Sequence, residues 1–217
     1  MFGSLGYVVS VAVAFLLAAM FGPVFLNVRL RRTREPTDAE ESQLDRRCES
    51  AGLSPDRSFV VETVGEASVD VKLVGVPGYR VLLLTDYALE SLDDDVLTGL
   101  LAAEGGRGDT YYAEFRAVAV ASVIGLLAAT FAGFVGFDRG LALVGGVSLL
   151  AFAIGRRIQY RADAVAAERV GADAVADAFQ AIADLRGVEP ETGSWRTLFE
   201  VQPPLGDRIA RLRSRSP

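Results

Sequence analysis

The sequence predicts an α+β membrane protein: three transmembrane helices plus one cytoplasmic domain, a small β-sheet with helices, interrupted by a membrane hairpin. Three observations carry this. The 217 residues are 51% hydrophobic yet include 28 acidic and 22 basic side chains, so apolar and polar residues must be segregated along the chain. Three long runs are almost free of charge. Three short β-rich runs lie together between the first and second of them.

Leu5 to Leu26, "LGYVVSVAVAFLLAAMFGPVFL", has no charge over 22 residues, enough to cross a hydrocarbon core about 30 Å thick. A signal peptide is the competing reading; no basic residue precedes the run and no clear small-residue cleavage site follows, so a retained anchor over 5–26 is expected. The second run is Ala117 to Gly136 and the third Gly140 to Gly155, joined through "FDR" as a tight turn. A buried soluble helical hairpin over 117–155 is the alternative. "RLRRTR" at 29–34 follows the first run, and Arg156 and Arg157 follow the third. Both clusters are expected in the cytoplasm, which puts the N-terminus outside in a multi-pass cell-membrane protein. Segments 28–116 and 156–217 then share one side and fold together. Gly125, Ala129 and Gly133 form a small-residue stripe expected to pack against the third span, with dimerisation as the alternative.

Within 28–116, a polar helix is expected from Thr37 to Ala51, ending at Gly52. "SFVVETV", "SVDVKLVG" and "YRVLLLT" read as strands separated by "GEA" and "VPG". Thr85-Asp86 caps a short helix and Asp93 the next, with Asp94 and Asp95 in its first turn. A helix is expected from Arg156 to Leu185, and "PPLGDRIARLR" reads as a terminal helix opened by proline.

Composition also excludes. A net charge of -6 argues against nucleic acid as a partner. Lys72 is the only lysine among the basic residues, which with the acidic excess suggests a GC-rich genome and a high-salt cytoplasm. Cys48 is alone, so no internal disulfide or cysteine zinc cage forms. The absence of histidine excludes a Ser-His-Asp triad, a Cys-His dyad and any imidazole metal site.

"LLLTDYALESLDDDVLTGLLAAEGGRG", a membrane hairpin, "YRADAVAA" and "PPLGDRIARL" follow in that order. This order resembles the HtpX-like membrane zinc metalloproteases, a gluzincin family, over nearly all of the chain after residue 55. In that family a helix opening on "LDDDEL" runs into A-H-E-x-G-H, where two histidines one turn apart bind zinc and the glutamate is the general base. The resemblance places those ligand positions on Ala103 and Arg107 and the base on Glu104. Its third ligand, from E-x-x-A-D, falls on Gln159, with Ala162 and Asp163 retained, and a late histidine falls on Gln202. The family's zinc is therefore expected to be lost, leaving no cofactor and only a vestigial base.

Arg107 brings a permanent charge to the former metal position. It is expected to pair with Glu104 or Asp163 in place of zinc; a solvated arginine at a frayed helix end is the alternative. Gly105, Gly106 and Gly108 are expected to weaken that turn by up to about 1 kcal/mol each. An oxygen-only site from Glu104, Asp109, Asp163 and Glu168 is a weaker candidate. Ser54, Ser58 or Ser68 with Lys72 is weaker still, and Trp195 with Phe199 reads as an apolar anchor. The strand Asp70, Val71, Lys72, Leu73, Val74, Gly75 matches the family's substrate-binding edge and could accept an extended peptide. The expected function is that of a catalytically inactive membrane pseudoprotease acting by interaction, with membrane lipid and an active membrane protease or client protein as partners. The alternatives are an active membrane metalloendopeptidase with non-standard ligands, and a small-molecule-binding membrane protein.

Overall fold

Residues 2–30, 32–63, 68–187 and 203–215 are described by a computed structural model. In chain order the elements are α1 (Phe2–Leu30), β1 (Thr33–Arg34), α2 (Asp38–Ser50), β2 (Arg57–Val61), β3 (Val71–Val76) and β4 (Tyr79–Thr85). They continue as α3 (Asp86–Ser91), α4 (Asp94–Asp109), α5 (Tyr112–Phe131), α6 (Phe137–Val170), α7 (Ala172–Leu185) and α8 (Leu205–Arg213).

The strands form one mixed sheet in the order β1-β2-β4-β3. β3 and β4 are an antiparallel hairpin joined at Pro77-Gly78, where Gly78 takes a φ of 87° that favours glycine. β2 lies parallel to β4, which is therefore central, and Val81 to Thr85 are all buried. That position explains a continuous apolar run where a half-exposed strand would alternate.

Helix α4 is the axis of the folded domain. Its Leu97 and Leu101 are fully buried with Leu44 of α2, Leu82 and Leu84 of β4, Val175 of α7 and Leu212 of α8. Small residues let its neighbours approach. A Cβ on Gly99 would come within 2.7 Å of the Ala178 methyl, and one on Gly106 would run into the Ala162 carbonyl. The glycines predicted to weaken the end of α4 instead sit in an intact helix reaching Asp109, with Gly105 and Gly106 buried. Close packing of α4 on α6 outweighs their propensity cost.

Among the described residues two helices, α5 and α6, are long and apolar enough to cross a membrane; the apolar stretch of α1, Gly6–Gly22, is shorter. Their connection differs from expectation. The turn occupies residues 132–136, with Gly133 at φ 79°, and "FDR" is already the first turn of α6. Asp138 suits that position, since a carboxylate favours the positive end of the helix dipole.

The third apolar run belongs to a single 34-residue helix that continues past Arg156 and Arg157 and stops at Gly171, whose φ is 93°. The helix expected from Arg156 to Leu185 is thus divided at that glycine. At about 1.5 Å per residue α6 is some 50 Å long, which carries it from the hairpin into the domain. The small-residue stripe also differs in its partner: a Cβ on Gly125 would meet the Ala12 methyl of α1 at 3.2 Å. "SFVVETV" is a strand only to Val61.

Candidate functional site

Two helices present the residues that the sequence singled out. α4 carries Ala103, Glu104 and Arg107; α6 carries Gln159, Ala162 and Asp163. The approach of Gly106 to the Ala162 backbone holds these stretches side by side.

Glu104 is buried, and its carboxylate has two partners. Oε1 is held by the Arg107 guanidinium, one turn on. Oε2 accepts the backbone N–H of Leu73 at 3.2 Å. Burial alone would lower the Arg107 pKa, but the charges of Glu104 and Asp163 outweigh it and hold the guanidinium above its ordinary value.

Asp163 goes to a different cation. Arg208 of α8 grips it with both arms, Nε to Oδ2 at 2.8 Å and Nη2 to Oδ1 at 2.6 Å, with both side chains only 5% exposed. Gln159, fully buried, donates from Nε2 to Asp163 Oδ1 at 3.2 Å. Arg208 also stacks over the Phe179 ring, 4.2 Å from its centre. The result is two carboxylates and two guanidiniums in one buried layer between α4, α6 and α8. Such fork-to-carboxylate bonds are strong and directional.

The donor set does not fit zinc. Ala103 offers no ligand atom, and Arg107 is a cation already engaged by Glu104. Gln159 supplies one neutral oxygen that has no hydrogen-bond partner among the described residues. Among the described residues no three histidine, cysteine, aspartate or glutamate side chains come close enough to hold a metal. The four carboxylates of the oxygen-only candidate are not brought together: Glu104, Asp109 and Asp163 go to Arg107, Arg169 and Arg208, and Glu168 is exposed.

The other sequence candidates divide. Lys72 Nζ bonds Asp70 at 2.6 Å, not a serine. β3 is an edge strand in the sheet, but α1 and α4 pack beside it, and Glu104 takes one of its outward N–H groups. Gln202, Trp195 and Phe199 lie outside the described residues.

Arg208 was missed by sequence reasoning, although a signal for it exists. Leu205, Arg208, Ile209 and Leu212 follow the i, i+3, i+4, i+7 spacing of one helix face, and all but Leu205 are buried. An arginine on an apolar stripe requires a buried acidic partner.

The comparisons add a fold. No protein-family model matches the sequence, and no curated protein does. The chain superposes on the crystal structure of Ste24p from S. mikatae with a TM-score of 0.74 at 17% identity, over 96% of its own length. It spans 58% of that protein's chain. The chain therefore shares the fold of that structure, mostly helical with a small mixed sheet.

Proposed function

We propose that this chain is a catalytically inactive, HtpX-like membrane pseudoprotease that works through interaction with other proteins. One observation carries the reading. Arg107, at a position where the resemblance puts a zinc ligand, is bonded to Glu104, where the resemblance puts the general base. The guanidinium occupies a carboxylate oxygen that would have to meet a water, and a permanent cation at that position repels a divalent metal. The second carboxylate, Asp163, is equally committed to Arg208.

In this reading α1, α5 and α6 are anchored in the membrane and the sheet with α2–α4, α7 and α8 forms the cytoplasmic domain. The arginines beyond the apolar stretches support that orientation. What survives of the protease in this reading is the α4 frame with the edge strand β3 beside it. The partners it suits are an active membrane protease, held in a regulatory complex, or an extended client segment along Asp70 to Gly75 that displaces Glu104 from the Leu73 amide.

The test is metal content together with activity on the detergent-purified full chain. The expected result is close to zero zinc per chain, no peptide cleavage with zinc added, and a defined protein recovered by crosslinking in native membranes. About one zinc per chain that survives dialysis, with cleavage abolished by Glu104→Gln, would replace this reading with that of an active peptidase.

A further inference from the structure

We propose that Arg157, Arg161 and Arg211 form a binding site for the headgroups of anionic phospholipids, at the level where the apolar parts of α5 and α6 end. The proposal rests on the membrane reading above and adds to it a lipid class.

The level is fixed by packing. A Cβ on Gly155 would touch the Phe115 ring at 3.4 Å, so α5 and α6 are side by side at that point. To one side of this line α5 and α6 expose Val118, Val120, Leu149 and Leu150. To the other side α6 exposes Arg157 and Arg161, which lie one turn apart on the same face. Tyr160 adjoins Arg161 on α6, and Arg211 of α8 reaches its ring, 4.5 Å from the centre. The Arg211 guanidinium is thus brought beside the stretch of α6 that exposes Arg157 and Arg161.

The chain carries a net charge of -6, and Arg34, Arg47, Arg80, Arg107, Arg169 and Arg208 are each paired with a carboxylate. Arg157, Arg161 and Arg211 have no ion-pair partner among the described residues. An acidic protein that leaves three neighbouring arginines unneutralised, at the border of its apolar surface, presents a complement to a phosphodiester. Guanidinium forks bind phosphate oxygens in pairs, and tyrosine suits the headgroup layer. Attraction to an anionic leaflet contributes the equivalent of about fivefold in affinity per arginine.

The full chain reconstituted in phosphatidylcholine nanodiscs, with and without phosphatidylglycerol, tests this. Phosphatidylglycerol is expected to raise the thermal midpoint and to be retained on the protein in native mass spectrometry. The triple change Arg157→Gln, Arg161→Gln, Arg211→Gln should remove both effects while leaving the midpoint in pure phosphatidylcholine unchanged. Replacing the same three by lysine should keep most of the preference, and Arg46→Gln, on exposed α2, should keep all of it. If the glutamine variant retains phosphatidylglycerol like the wild type, the proposal is wrong. If millimolar orthophosphate in phosphatidylcholine discs stabilises equally, the site is for a free anion and not a lipid. Failure to enter discs of either composition would instead overturn the membrane reading itself.

Discussion

The Glu104 carboxylate accepts the Leu73 amide at 3.2 Å and so ties helix α4 to the outward edge of strand β3. The direction follows from the strand. The Asp70 carbonyl accepts the Thr85 N–H and faces β4, so alternate residues Val71, Leu73 and Gly75 turn their amides away from the sheet. Glu104 takes the middle one with Oε2 while Oε1 holds Arg107. In a metal-dependent protease this carboxylate would be free to move a proton. Here it is a structural bracket with both oxygens engaged.

Removing one half of that bracket should therefore cost more than removing both. Glu104→Ala leaves a largely buried guanidinium unpaired and is expected to destabilise by about 2–3 kcal/mol, or roughly 4–12 °C in thermal midpoint for a chain of this size. The double change Glu104→Leu, Arg107→Met should recover most of the loss. Equal losses in the single and double variants would mean that the Leu73 bond, not the ion pair, dominates.

The Asp163–Arg208 pair should be the more sensitive of the two. Both side chains are 5% exposed and the contact is bidentate. Arg208→Ala is expected to cost about 3–5 kcal/mol, and it also removes the tie between α8 and α6. Limited proteolysis should then cut near residues 203–215 at protease levels that leave the wild type intact. A variant with unchanged midpoint and unchanged cleavage would show that α8 is held by Ile209 and Leu212 alone.

A third prediction concerns pH. Arg34 bonds Glu40 at 2.6 and 2.7 Å, and Thr37 adds its backbone N–H in the capping box of α2. These bonds, the Arg34 contact first, lower the Glu40 pKa from 4.5 to about 2. A carboxyl held low in the folded state stabilises fully above its unfolded pKa and loses that contribution as pH falls. Glu40→Gln should thus lower the midpoint at pH 7, and the gap from wild type should close between about pH 4.5 and 2. A gap of constant size over that window would assign the effect to capping geometry and not to charge.

The apolar helices and the α4 frame were legible because they depend on local pattern. A run without charge, and an acidic first turn such as Asp94-Asp95, carry their meaning in adjacent residues. The hairpin apex was misplaced because "GFVG" is apolar and reads as more span, while the charged "FDR" reads as a turn. The continuity of α6 was hidden for a related reason. Arg156 and Arg157 end the uncharged run, but both are good helix formers and nothing breaks the backbone before Gly171. Neither the Leu73–Glu104 bond nor the choice of Arg208 for Asp163 could be read from sequence, since each depends on strand register or on which helix lies across α6.

The resemblance to zinc metalloproteases can be tested by restoring what it says is missing. Ala103 and Arg107 lie one turn apart on α4, and Gln159 projects from the helix packed against it, where it already bonds Asp163. Ala103→His, Arg107→His and Gln159→Glu together would supply two imidazoles and a carboxylate, the donor set of a gluzincin site. The same change removes the cation that neutralises Glu104. Elemental analysis is expected to rise from near zero to about one zinc per chain, and zinc should then raise the thermal midpoint of the variant but not of the wild type. Ala103 is only 3% exposed, so histidine there costs packing energy in the metal-free protein; the zinc-dependent shift is measured against that lower baseline. A control with Ala103→His and Arg107→His alone should bind zinc more weakly for want of the third ligand. If the triple variant folds and takes up no zinc, these three positions do not converge as the family pattern requires, and Arg107 and Glu104 form an ordinary helix ion pair.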